Sequence, residues 1–209
     1  MSSWQFWNPS VHHPPPSWSG LAGTEGRGRN TDVTRLRHAE QVNVTVAIES
    51  PLQDDVRELV SALSAHLLPL SPREFQFGIG VEEMAEPRTT VFVARDENGV
   101  AVGCGALTVH DDGTGEVKRM FTVPEARGAR VGEKVLSAII ELARQHRLER
   151  LLLETGASSD FASAHRLYAR TGFRRRGPFH DYPDSGWSAF YELGLTAGGR
   201  VDHSPAVRR

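Results

Sequence analysis

The chain has 209 residues, 39% apolar and 24% charged, which suits one packed domain with tails or one domain and a small extra piece. A formal net charge of −2 argues against bulk electrostatic binding to nucleic acid, and the single cysteine, Cys104, excludes an internal disulfide and fits a reducing cytosol. With no apolar run of about 18 residues and no basic-then-apolar leader pattern, the expected setting is cytoplasmic, with no membrane partner.

Residues 1–41 read as a disordered tail: Pro14, Pro15 and Pro16 stand among many Ser, Gly and Asn with no periodic apolar pattern. Trp4, Phe6, Trp7 and Trp18 are unusual there and leave open a docking segment for a partner. The folded pattern starts at Val42, and Val42, Val44, Val46 and Ile48 alternate as a first strand. Ser50-Pro51-Leu52-Gln53 reads as a capped helix start. Val56, Leu59, Val60, Leu63 and Leu67 form the stripe of that helix, which Pro69 and Pro72 end. Between Phe75 and Glu86 a Gly-containing loop and a short helix over Val81–Ala85 are expected, bordering a substrate cleft.

Thr90–Arg95 and Val100–His110 read as strands around an Asn98-Gly99 hairpin turn, and Gly103 and Gly105 mark a bulge or a close approach. After a second turn, Asp111–Gly115, a central strand runs from Glu116. Alternation puts Val117, Arg119, Phe121 and Val123 on one face and Lys118, Met120 and Thr122 on the other. Pro124 ends it. The loop after it carries Arg127 and Gly128, and a helix follows with Val131, Val135, Ile139 and Leu142 inward. The first N–H groups of a helix lack internal partners, and Arg127 and Arg130 add positive charge at the same end, so this turn reads as an anion site. The alternative is an ordinary strand–helix turn with solvated arginines. Leu151-Leu152-Leu153 reads as a strand covered on both faces. Ser158, Ser159 or Asp160 caps a further helix with Phe161, Ala164, Leu167 and Tyr168 inward, ended by Gly172. Phe173–Arg176 and Ser188–Leu193 are the last strands, the second available to pair across a dimer, and 196–209 is a Gly-rich basic tail.

The order β-α-β-β-β-α-β-α-β-β predicts an α/β (mixed α+β) domain over residues 42–195. It combines a mostly antiparallel sheet of six or seven strands, helices on both faces and one parallel βαβ crossover.

Four segments resemble the GCN5-related N-acetyltransferase (GNAT) family, small bacterial type, over roughly Val44 to Leu195. They are Phe121-Thr122-Val123-Pro124, the Arg127-Gly128-Ala129-Arg130-Val131-Gly132 loop, Ala164/Leu167/Tyr168 with Gly172-Phe173, and the ending Tyr182 to Glu192. Arg130 departs from the family's usual Gly, and Phe161 from its frequent Asn. Gly128–Gly132 lacks the spacing and Lys-Ser/Thr of a P-loop, and Gly103-Cys104-Gly105 lacks the third Gly of a dinucleotide fingerprint.

The resemblance implies an acyltransferase with acetyl-CoA as cosubstrate, a small-molecule amine acceptor and direct transfer in a ternary complex. It implies coenzyme contacts from Phe121, Thr122, Val123, Arg127, Gly128, Ala129, Arg130, Val131 and Gly132. Tyr168 is the expected proton donor to the leaving thiolate, and Glu116 the base candidate nearest in sequence, although alternation puts it opposite Phe121 unless a bulge intervenes. Arg119, His180 and Tyr182 are candidate acceptor residues, with Arg119 favouring a carboxylate. No metal-ligand spacing is legible, so no metal is expected. A monomer or homodimer is expected, and a non-catalytic acyl-CoA-binding module is the alternative function.

Overall fold

The computed structural model of the chain describes residues 43–195. Both expected tails, including the N-terminal aromatics, lie outside the described residues, as does Val42. Seven strands form one sheet: β1 (Thr45–Ile48), β2 (Thr89–Arg95), β3 (Ala101–Val109), β4 (Thr114–Thr122), β5 (Arg150–Gly156), β6 (Arg174–Arg176) and β7 (Ser188–Gly194), in the order β1-β2-β3-β4-β5-β7-β6. Only β4 and β5 are parallel, joined by helix α3 (Val131–Gln145). Helices α1 (Asp54–Leu67), α2 (Val81–Met84) and α4 (Ala162–Arg170) complete the fold, which is the mixed, mostly antiparallel architecture expected. No helix among the described residues is long and apolar enough to cross a membrane.

The two faces of the sheet are covered for different reasons. Val131, Val135, Leu136, Ile139, Ile140 and Ala143 of α3 are buried against Leu107, Val117, Leu151 and Leu153. Each large apolar side chain removed from water in this way contributes about 1.5–3 kcal/mol. The two β3 glycines permit this approach: a Cβ on Gly103 would stand 2.6 Å from Val131 Cγ1, and one on Gly105 2.8 Å from Val135 Cγ1. On the other face Leu59 and Leu63 of α1 bury Cys104 and Phe121. Ser50 does not cap α1. Its Oγ accepts from Leu52 N at 3.2 Å in a preceding turn, and the helix starts at Asp54 with Gln53 as an N-cap lacking a side-chain bond.

Two irregularities of β4 position the site. The first is a bulge. Cys104 pairs with Phe121 and Ala106 with Lys118, so Gly105 alone faces Arg119 and Met120. Arg119 takes φ 55° to make it. The strict alternation expected along β4 is therefore broken. Val117 and Met120 pack on the α3 side, whereas Lys118 bonds Glu116, and Arg119 and Phe121 meet α1. Glu116, Arg119 and Phe121 thus share one side of the sheet.

The second irregularity is a parting of strands. The β4–β5 ladder stops at Val117↔Leu153. Beyond it β4 is held only by β3, and β5 only by β7, so a gap opens between Lys118–Thr122 and Glu154–Gly156. Strand β7 pairs with β5 along its whole length on one edge and with β6 over Phe190–Glu192 on the other.

Candidate active site

A cavity of about 710 Å³ occupies this gap. Leu63, Ser64 and Phe77 line it from one side of the sheet, Val131, Leu167 and Tyr168 from the other, and the parted strands from within.

At one end lies the loop into α3. A short 3-10 turn, Pro124–Ala126, takes up the N–H groups of Arg127 (to Pro124 O, 3.2 Å) and Ala129 (to Ala126 O, 3.3 Å). Among the described residues the N–H groups of Gly128, Arg130, Val131 and Gly132 have no such partner, and all four residues line the cavity. Gly128 has φ 92° and open space around its missing Cβ. Arg127, Arg130, Arg166 and Arg170 line the same wall, against the carboxylates of Glu133 and Asp160. Free main-chain donors at a helix start, among several guanidiniums, fit a polyphosphate. Ala129 is not part of the lining and packs on the core.

Arg130 is the N-cap of α3 at φ 60°, ψ 21°, a left-handed conformation that suits Gly better than Arg. Its guanidinium turns along the helix to Glu133. Arg130→Gly is expected to raise the melting temperature by a few degrees, because relief of the backbone outweighs loss of an exposed ion pair. A thermal melt without coenzyme checks this, and an unchanged or lower midpoint would refute it.

Along the gap, Val123 N donates to Val102 O at 3.0 Å. Alternation of an antiparallel ladder then turns Phe121 towards β3 as well and leaves the main-chain groups of Thr122 facing the gap. Of the three expected β4 contacts, Thr122 is therefore the one whose main-chain groups face the gap. Phe121 and Thr122 line the cavity; Val123 does not. The Phe161 ring lies over Gly156, where a Cβ would come within 2.1 Å of it.

At the other end, Glu116 is 4% exposed. Its Oε1 accepts from Tyr182 Oη (2.6 Å) and Lys118 Nζ (2.9 Å), and its Oε2 lies 3.1 Å from His110 Nε2. Burial pushes its pKa up, but Lys118, Tyr182 and His110 together outweigh that and hold it below the ordinary carboxylate value. His180 is not in the lining; its Nε2 stands 3.2 Å from Asp112 Oδ2. Arg119 donates from Nε to Ile79 O (2.6 Å) and from Nη2 to Ser64 Oγ (3.2 Å). Burial lowers its pKa, and no carboxylate pairs with it among the described residues.

Between the two ends stand Tyr168 and Glu154. Tyr168 is 5% exposed and packed on Phe173 and Tyr191, yet it lines the cavity, and its hydroxyl makes no hydrogen bond among the described residues. Burial pushes the phenol well above its ordinary value, with the charge of Glu154 and Tyr191 adding.

Glu154 was not singled out by sequence, where Leu151–Thr155 reads as a buried strand. It is the first β5 residue past the end of the parallel ladder and lines the cavity. Its one hydrogen-bond partner is the Ser188 hydroxyl, and burial raises its pKa against the opposing effects of Ser188 and Lys118, with Glu116 adding to the rise.

A parted parallel pair, a free-amide loop and a cavity joining them to a phenol agree with the comparisons. The family model for the "Acetyltransferase (GNAT) family" matches residues 56–173. The chain belongs to the GNAT acetyltransferase family. The "IAA acetyltransferase" of Azospirillum brasilense is 43% identical over 154 residues, 73% of this chain and 99% of that protein. A Klebsiella pneumoniae crystal structure named for acyl-CoA N-acyltransfer has a TM-score of 0.62 at 31% identity, covering 73% of this chain and 98% of that one. The fold is shared with yncA from Salmonella typhimurium, solved with its cofactor acetyl-CoA, at a TM-score of 0.53 and 19% identity over 77% of this chain and 98% of that one. This GNAT chain is therefore an acyltransferase. The site residues expected from the sequence line one cavity with three exceptions: Val123, Ala129 and His180.

Proposed function

We propose that this GNAT enzyme moves an acetyl group from acetyl-CoA directly to the amine of a small, carboxylate-bearing acceptor. Acetyl-CoA supplies an activated thioester. The free N–H groups of Gly128, Arg130, Val131 and Gly132, with Arg127, would hold its pyrophosphate, and Thr122 would meet its amide-bearing arm. Tyr168 would keep a hydrogen bond and a proton ready at the sulfur. Glu154, rather than Glu116, would take the proton from the amine: a part-buried carboxylate of raised pKa is the better base near neutral pH, and both oxygens of Glu116 are already engaged. Glu116 would instead hold Lys118 and Tyr182 in place. Cys104 offers no route through an acyl-cysteine, since it is buried outside the cavity lining and its thiol is pushed up to about 12.

The observation that carries the acceptor class is Arg119. A part-buried guanidinium bonded to a carbonyl and a hydroxyl, and among the described residues to no carboxylate, with Glu83 acting on it only through its charge, gains from a ligand that brings an anion. The name of the Azospirillum brasilense relative makes IAA one member of the panel to test. Acceptors would be screened by coupled thiol release, as acid and amide pairs. Arg119→Gln is expected to raise KM for the carboxylate acceptor about 10- to 100-fold, the worth of a charged hydrogen bond, and to leave its amide analogue nearly unchanged. A preference for polyamines, or equal losses for acid and amide, would remove the carboxylate reading. Coenzyme binding without thiol release from any acceptor would favour a non-catalytic holder.

A further inference from the structure

We propose that His110, Glu116 and His180 form a binding site for a divalent transition-metal ion of the Zn²⁺ type. The three residues are distant in sequence, but the fold brings one nitrogen or oxygen from each to within 4.8 Å of the others. His110 follows the end of β3, Glu116 lies on β4, and His180 sits in the exposed loop before β7. Two imidazoles and a carboxylate, completed by a water as fourth ligand, are a donor set that Zn²⁺ accepts.

The surroundings favour a defined site over a loose polar cluster. Glu116 is buried, and its two oxygens are divided: Lys118 and Tyr182 occupy Oε1, which orients Oε2 towards His110 at 3.1 Å. The His110 and His180 rings are 4.3 Å apart between centroids, and Asp112 Oδ2 steadies the His180 ring at 3.2 Å from its Nε2. A tetrahedral ion about 2.0–2.1 Å from each ligand needs its ligands somewhat closer than the outer limit of this group. The His110–Glu116 pair already satisfies that at 3.1 Å, and the remaining approach has to come from His180. Lys118 opposes the ion, so the site is weaker than a charge-free triad, and Lys118→Met is expected to tighten it. A bound ion ties the β3–β4 hairpin to the 177–187 loop and fixes Glu116 at the acceptor end of the cavity.

The test uses the full chain. Calorimetric titration with ZnCl₂ is expected to give one saturable site per chain, and Co²⁺ the d–d absorption of a four-coordinate ion with nitrogen and oxygen ligands. Zn²⁺ should raise the melting temperature. His180→Ala removes an exposed loop side chain with its contacts to Asp112 and His110, and is expected to weaken binding by at least about 10- to 100-fold, with His110→Ala behaving alike. The proposal is overturned if the wild-type chain gives no saturable site or no such cobalt spectrum, whatever the variants do. It is equally overturned if both variants bind as tightly as the wild type, which would assign the ion to other histidines such as His12 and His13.

Discussion

Glu154→Gln is expected to lower kcat by about 10²- to 10⁴-fold, the usual worth of a positioned general base, with little change in KM for the acyl donor. The substitution keeps the shape of the side chain, and a Gln carbonyl can still accept the bond from Ser188, so the strand split survives. The same variant carries a pH signature. Burial disfavours the charged form of Glu154, so its pKa lies above the ordinary carboxylate value of about 4.3. The basic form is needed, so kcat/KM should fall as pH drops through that raised value and stay level just above it. In Glu154→Gln this acid limb should vanish. The groups acting on the carboxylate are Lys118 and Ser188, which oppose the rise, and Glu116, which adds to it, while the Tyr168 and Tyr182 phenols in turn feel its charge. Lys118→Met should therefore move the limb upward. If the limb persists in Glu154→Gln and disappears in Glu116→Gln, the base is Glu116, and the reading of its saturated hydrogen bonds is wrong.

The contrast between these two carboxylates marks how far the sequence was legible. Glu116 stands out because it heads the expected central strand, and strict alternation turns it away from Phe121. What restores it is the bulge at Arg119–Met120. A left-handed residue at a bulge is usually announced by Gly or Asn, and Arg119 gives no such signal. Glu154 was invisible for another reason. Its local pattern is that of a buried strand, and only the end of the β4–β5 ladder, a tertiary fact, turns its side chain into the lining of a cavity. The His110–Glu116–His180 group is equally non-local, with ligands joined by a hairpin and a long loop rather than by helical or turn spacing.

Where short-range chemistry decides, the reading was better. The α3 stripe and the Pro124 strand end are intrinsic to period and backbone, and they came through with their functional geometry intact. The loop between them was legible as a donor of main-chain N–H groups, but which groups remain free depended on the 3-10 turn that consumes those of Arg127 and Ala129. Ser50 misled because a Ser-Pro pair starts turns as readily as helices, and here the turn formed three residues ahead of the helix.

Tyr168→Phe is the complementary experiment, because it removes one oxygen and nothing else. The ring keeps its contacts with Phe173 and Tyr191, each 5.9 Å between centroids, and the lost hydroxyl has no hydrogen-bond partner among the described residues. Thermal stability should therefore hardly move, while kcat falls about 100-fold or more if the phenol donates to the leaving sulfur. Burial keeps that phenol protonated across the neutral range, and the negative charge of Glu154 reinforces it, so the residue is fitted to give a proton rather than to take one. This makes its role separable from that of a packing residue. A donor thioester built on a more acidic thiol needs less help at the sulfur, so the penalty of Tyr168→Phe should shrink with that donor, whereas the penalty of Glu154→Gln should not. Equal losses with both donors would mean that the hydroxyl positions the coenzyme and that the departing sulfur is protonated by water entering through the gap between β4 and β5.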